Sequence, residues 1–203
     1  MIRTGIFGGS FNPIHNGHIS LARQLREKAG LDEVWLMVSP QNPLKQLSDL
    51  LDDNLRMQMV RMALEDEEGL VACDYEMHMP RPSYTWNTLQ ALSKDYPDHE
   101  FVLLMGGDNW SLFYNWYHYE DILKNYQIII YPRRNMHGDS DVVQSVIQDC
   151  KSFLPPCVIE TELLDISSTE IRQRIKDGKG IRRMVPKAVA DFIEEKGLYA
   201  KEA

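Results

Sequence analysis

Apolar residues along the chain alternate between two rhythms. Short runs rich in β-branched and aromatic residues recur at IRTGIF (2–7), EVWLMV (33–38), LVACDY (70–75), FVLLM (101–105), QIIIYP (127–132) and CVIETEL (157–163). Between them, apolar residues return every three or four positions, the spacing that lines one face of a helix. Ile19, Ala22, Leu25 and Ala29 form such a stripe after His18, with Gly30 placed to end it. Leu55, Met59 and Met62 form another within Asp49–Glu65, and further helices are expected from Tyr84 to Asp95, over 139–150, and between Pro186 and Lys196.

Strands that are apolar throughout and alternate with helices predict a parallel sheet covered on both faces. With no internal repeat, low-complexity tract or linker in view, the expectation is one α/β domain spanning residues 1–203. It would be a doubly wound parallel sheet with a helical C-terminal segment. Sheets of this kind bind ligands in the crevice beyond the carboxyl ends of their strands. The unusual segments all fall there: Gly8 to Gly17, Ser39 to Lys45, Gly106-Gly107-Asp108, Arg133-Arg134, and Ile166 to Arg172.

Composition narrows the function classes. The 203 residues are 43% hydrophobic, enough for a sizeable core, and carry a net charge of -8. That balance argues against a general nucleic-acid or acidic-membrane binder, so an anionic ligand has to be met by a local cluster of donors. Cys73, Cys150 and Cys157 have no C-x-x-C spacing, which indicates neither a disulfide framework nor a zinc site. FVLLM is far too short to span a bilayer, and Ile2-Arg3-Thr4-Gly5 interrupts any signal-peptide core. A reduced, cytoplasmic home is expected, and a homo-oligomer is compatible with the composition.

GGSFNPIHNGH at 8–18 concentrates the chemistry. Gly8 and Gly9 allow a ligand close to the main chain, and Gly17 leaves room beside the N–H groups that open the following helix, where the dipole attracts phosphate. His15 and His18 can donate to phosphate oxygens, and a nearby anion favours their protonated form. The plain alternative is a strand-to-helix turn with incidental histidines. The string is neither a G-x-G-x-x-G loop nor a Walker loop. At the far end, Ser167 followed by Glu170 in ISSTEIR (166–172) is a capping box. The box alone leaves Ser168, Thr169 and Arg172 unexplained. The first two fall in the first turn of the helix, and Arg172 brings a rigid fork of donors suited to phosphate.

These two strings resemble the H-x-G-H loop and the ISST-x-x-R signature of the nucleotidyltransferase superfamily, which includes the class I aminoacyl-tRNA synthetases. RPSYTWNTL (81–89), SPQNPLK (39–45), GGDNWSLFYNW (106–116) and VPKAVADFIEEKGLY (185–199) are similar to segments of the bacterial nicotinate-nucleotide adenylyltransferases, so the resemblance covers nearly the whole chain. It implies a Rossmann-like fold and adenylyl transfer from ATP to nicotinate mononucleotide. It also implies Mg²⁺ carried mainly by the ATP phosphates, and neither nucleic acid nor membrane as partner. His15, His18, Lys45 and Arg172 would act on the phosphates, with Ser167, Ser168 and Thr169 beside them. Gly8, Gly9, Ser10 and Phe11 would line the nucleotides, Gly106 and Asp108 would reach a ribose, Thr85 and Trp116 the nicotinate ring, and Arg133 the adenine or phosphates. The chain departs from the family at Ser10 for Thr, Asn12 for Asp, Leu44 for His and Asn87 for Asp.

Three other readings compete. A superfamily member acting on phosphopantetheine, a cytidylyl substrate or nicotinamide mononucleotide would lack the SYT segment. A tRNA-binding synthetase needs a lysine-rich KMSKS loop and an anticodon domain, for which 203 residues leave no room. A nucleotide sensor without catalysis would be expected to lose His18, Lys45 or Arg172, and all three are present.

Overall fold

The computed structural model describes residues 1–40, 50–131 and 155–200. Within them the apolar runs become strands: β1 (Ile2–Gly9), β2 (Glu33–Val38), β3 (Leu70–Cys73), β4 (His99–Gly106), β5 (Gln127–Tyr131) and β6 (Cys157–Val158). They form one six-stranded sheet in the order β3-β2-β1-β4-β5-β6, with every neighbouring pair parallel. The helices are α1 (Asn16–Lys28), α2 (Asp53–Leu64), α3 (Thr85–Asp95), α4 (Gly107–Trp110), α5 (Tyr119–Asn125), α6 (Ser168–Lys176) and α7 (Lys187–Lys196).

Side-chain alternation explains why the strands are apolar throughout. Val34, Leu36, Val38, Val102, Leu104 and Ile129 join a core with residues of α1, α2, α6 and α7. Trp35, Met37, Leu103, Met105 and Ile130 join a second core with Leu89 of α3, Trp110 of α4 and Ile122 of α5. Both faces of the sheet are therefore covered, as the doubly wound expectation requires. The strand order reverses between β1 and β4, so the ends of those strands frame the crevice where such folds bind ligands.

Several expected boundaries move. β3 ends at Cys73 because the chain enters a 3₁₀ turn, Tyr75–His78, that carries Glu76 inward to 8% exposure. β6 is short: the Ile159 N–H still donates to the Ile130 carbonyl of β5 at 2.9 Å, and from Glu160 on the backbone bonds to side chains of α1. Lys28 Nζ donates to the Glu160 carbonyl at 2.7 Å, and the Gln24 amide both donates to the Glu162 carbonyl and accepts from its N–H at 2.8 Å. α2 begins at Asp53, where the Asp52 carboxylate caps the Asn54 N–H at 2.9 Å. α4 and α5 were not anticipated, being too short to carry a periodic stripe. The helix expected at 139–150, Cys150, and the site candidates Lys45 and Arg133 lie outside the described residues, as does Leu44.

Candidate active site

The loop after β1 is built around the histidines. His15 is the N-cap of α1, and its N–H donates to His18 Nδ1 at 3.3 Å. Accepting at Nδ1, the His18 ring presents its own N–H at Nε2. That N–H can donate to a phosphate oxygen. The two imidazoles stack with centroids 3.7 Å apart. Gly17 makes room for that stack, since a Cβ there would lie 3.0 Å from the His15 ring. This is a different use of the glycine from clearance for a ligand. Gly9 works similarly: a Cβ would meet the Phe11 ring at 2.9 Å. Phe11 itself, at φ 44, is 1% exposed and packs its ring edge-on against His18 at 5.0 Å. Its ring belongs to the core beneath the histidine.

The two signature strings meet. Arg172 Nη1 donates to the Asn12 carbonyl at 2.8 Å and Nη2 reaches Thr169 Oγ1 at 3.4 Å, while its buried Nε has no protein partner among the described residues. Ser168 Oγ donates to the Pro13 carbonyl at 2.8 Å, so this hydroxyl fastens the first loop to α6. Ser167 caps α6 by accepting from the Glu170 N–H at 3.1 Å, the serine half of the expected capping box. The C-terminal segment closes the far side, with the Met184 carbonyl accepting from the Asn16 N–H at 2.9 Å and Tyr199 from beyond α7 reaching Asn12. Burial pushes the Tyr199 phenol above its ordinary range, with Arg172 and Arg56 opposing the shift.

On the other side of β1, Gly106 ends β4 and caps α4, and Asp108 is exposed on its first turn. Of the aromatic cluster, Trp110 and Phe113 stack at 5.2 Å inside the core, whereas Trp116 is half-buried. Tyr84 is the N-cap of α3 and makes no side-chain cap, so the sequence placement of Tyr84 in the first turn shifts by one residue and Thr85 opens the helix. No acidic residue occupies that first turn. Tyr84 and Tyr117 pack with ring centroids 5.0 Å apart, so Thr85 and Trp116 flank one contact.

Sequence reasoning missed two buried charges. Arg56 is fully buried, and every N–H of its guanidinium has an acceptor: Nε donates to Leu51 O, Nη1 to Ser10 O and Ser39 O, and Nη2 to Pro40 O and Asp53 Oδ1. Its signal was legible, for Arg56, Met59, Val60 and Ala63 share the buried stripe of α2. Glu76 accepts from Thr88 Oγ1 at 2.9 Å. Burial raises its carboxyl, and the hydroxyls of Thr88, Ser39 and Ser83 partly offset that. Cys73, a nucleophile by residue type, has its thiol pushed up to about 11 by burial, which leaves it inert near neutrality.

The cytidylyltransferase-like family model matches residues 6–174. A Bacteroides fragilis protein named "Probable nicotinate-nucleotide adenylyltransferase" is 46% identical over 189 residues, covering 92% of this chain and 89% of its own. A Flavobacterium johnsoniae protein of the same name is 42% identical over 200 residues, covering 98% and 100%. Among solved structures, Plasmodium falciparum nicotinic acid mononucleotide adenylyltransferase complexed with NaAD superposes with a TM-score of 0.79 at 20% identity, covering 98% of each chain, a likeness of fold.

Proposed function

The chain belongs to the cytidylyltransferase-like family and, within it, groups with the nicotinate-nucleotide adenylyltransferases, and from that premise we propose that it transfers the adenylyl group of ATP to nicotinate mononucleotide. The products are deamido-NAD and pyrophosphate, which places the reaction in NAD biosynthesis. The observation that carries this reading is the junction of the two signature strings, through Arg172 on the Asn12 carbonyl and Ser168 on the Pro13 carbonyl. It gathers His15, His18, Arg172 and the N-terminus of α6 around one loop.

The nucleophile is the mononucleotide's phosphate monoester, already anionic, so neither a general base nor a covalent enzyme intermediate is required. A phosphate oxygen forms a bond to the α-phosphorus of ATP while the bond from that phosphorus to the β-bridging oxygen breaks, and pyrophosphate leaves with the electron pair. Catalysis then rests on in-line positioning and on cancelling charge as it grows on the leaving group. His18 through Nε2, His15, and the guanidinium of Arg172 serve that purpose, joined by Lys45. Gly8, Gly9, Ser10 and Phe11 supply backbone along the nucleotides, Gly106 and Asp108 a ribose contact, and Arg133 an adenine or phosphate contact. Thr85 and Trp116 receive the nicotinate ring.

Among the described residues no three His, Cys, Asp or Glu side chains converge as a metal cage. A Mg²⁺ ion held by triphosphate oxygens and water would neutralise phosphate charge. No helix among the described residues is long and apolar enough to cross a membrane. The test is pyrophosphate release from ATP with nicotinate mononucleotide, nicotinamide mononucleotide and phosphopantetheine in turn. Release with the first is expected to dominate, and no release with any of them would leave a nucleotide-binding role instead.

A further inference from the structure

The buried guanidinium of Arg56 lies outside the reaction scheme above, yet it binds together the segments the scheme needs. Its acceptors come from the loop after β1 (Ser10 O), the end of β2 (Ser39 O at 3.0 Å and Pro40 O at 3.2 Å) and the entry to α2 (Leu51 O at 3.0 Å). Burying a guanidinium is unfavourable unless its donors and its charge are matched. Here the donors meet four carbonyls, and the charge meets Asp53, whose side chain is only 16% exposed. The other oxygen of Asp53 accepts from Arg81 Nη2 at 2.6 Å. Arg81 begins the Arg81-Pro82-Ser83-Tyr84 segment that delivers Thr85 to the start of α3. One continuous relay, Ser10–Arg56–Asp53–Arg81, therefore runs from the phosphate side of the crevice to the ring side.

We propose that Arg56 is a positioning residue that fixes the phosphate loop against the ring-binding segment, with Asp53 as the relay and Arg81 as its outer arm. This rests on the adenylyltransferase reading of the site. Arg56 acts on the placement of the reacting groups, so its loss falls on turnover. Arg81 acts only on where the ring segment sits, so its loss falls on the mononucleotide and not on ATP. A lysine cannot replace Arg56, because an ammonium lacks the planar fork that reaches acceptors on three separate segments.

The experiment measures kcat and both KM values by pyrophosphate release, with thermal unfolding alongside, for wild type, Arg56→Lys, Asp53→Asn, Arg81→Ala and the Asp53→Asn/Arg81→Ala pair. Arg56→Lys should lower kcat roughly 10- to 100-fold, the scale of a displacement on the order of 1 Å at reacting groups. Arg81→Ala should raise KM for nicotinate mononucleotide roughly two- to fivefold, as suits a half-exposed ion pair, with KM for ATP left within about twofold. Asp53→Asn should show both effects, and the pair should raise the mononucleotide KM no further than the larger single change. If Arg56→Lys fails to fold, the other three variants decide the matter. Variants that unfold earlier but keep wild-type kcat and KM per folded molecule would overturn the proposal, as would single effects on the mononucleotide KM that multiply in the pair. If wild type itself releases no pyrophosphate, the functional reading falls and this inference falls with it. Wild-type turnover with unchanged variants overturns the inference alone.

Discussion

The Tyr199 hydroxyl donates to Asn12 Oδ1 at 2.8 Å, joining residues 187 positions apart. Asn12 is 3% exposed, and the same oxygen accepts from the Leu51 N–H at 3.4 Å. Its carbonyl meanwhile accepts from Arg172. The loop that follows the first strand is thus held by three later segments, and burial keeps the Tyr199 phenol protonated as a donor through the neutral range.

Tyr199→Phe should therefore destabilise the fold by about 1 kcal/mol, the lower end for a buried acceptor that keeps a second donor. Asn12→Leu strands both donors and should cost about 2–3 kcal/mol. Asn12→Asp, the residue common in the family, keeps the acceptor and lies near the charges of Arg56 and Arg172. It should fold with stability within about 1 kcal/mol of wild type. Denaturant unfolding of the three variants at neutral pH orders them, and a larger loss for Asn12→Asp than for Asn12→Leu would show the acceptor reading to be wrong.

His18→Ala and Arg172→Ala should each lower kcat roughly 10²–10³-fold while changing KM for the mononucleotide far less. In the proposed reaction both donors face charge that grows only as pyrophosphate departs. Arg172→Ala also frees the Asn12 carbonyl, so its thermal stability should drop, whereas His18→Ala should chiefly affect turnover. A folded variant with near-wild-type kcat removes that residue from the catalytic set.

What could be read from the sequence was whatever is local. The strand and helix runs, the Ser167 cap and the H-x-G-H string are each local patterns, and the structure forms the strands, the helices and the Ser167 cap on the Glu170 N–H. The burial of Arg56 and its i,i+3 pairing with Asp53 could be read from the helix stripe, but the carbonyls it holds on other segments and the Thr88 hydroxyl on Glu76 could not, since no spacing rule reports them. That Gly17 also leaves room for the stacking of His15 on His18 could not be read from residue type, because it depends on a helix entry angle. The strand expected over 157–163 is shorter, because Glu160 and Glu162 bond to Lys28 and Gln24 of α1, more than 130 positions earlier, which no local pattern reports.

Glu76 makes stability depend on pH in a defined direction. Burial raises its folded-state pKa above the ordinary 4.5, so the folded protein holds a proton more tightly than the unfolded chain. Stability from this residue is then fully present below about 4.5 and declines as pH rises through the folded value. Glu76→Gln, which keeps an acceptor for the Thr88 hydroxyl, should raise Tm at pH 8, with the gain shrinking toward zero below pH about 4.5. Tm measured across pH for the two proteins checks it; a gain that grows on acidification would reverse the assigned sign.

Preference between nicotinate and nicotinamide mononucleotide should be set at the start of α3 and not by Trp116. The substrates differ by a carboxylate against a carboxamide on one ring. Thr85 opens α3, Tyr84 provides no side-chain cap, and no acidic residue lies in the first turn, because Asn87 stands where the family commonly has Asp. That turn therefore offers amide donors and the positive end of a helix dipole, which favour an anion. A carboxamide would turn its NH₂ toward the same donors and leave one unmatched. Charge-assisted hydrogen bonds contribute about 1.5–3 kcal/mol each, so one or two give roughly tenfold to a few thousandfold discrimination. Trp116, half-buried against Phe113 at 5.5 Å, offers a face to either ring. Trp116→Ala should weaken both substrates and leave their ratio in place. The measurement is kcat/KM for both mononucleotides in wild type and in Trp116→Ala. Equal wild-type efficiencies would remove the carboxylate from the α3 N-terminus, and a ratio that collapses in the variant would move selectivity to the tryptophan.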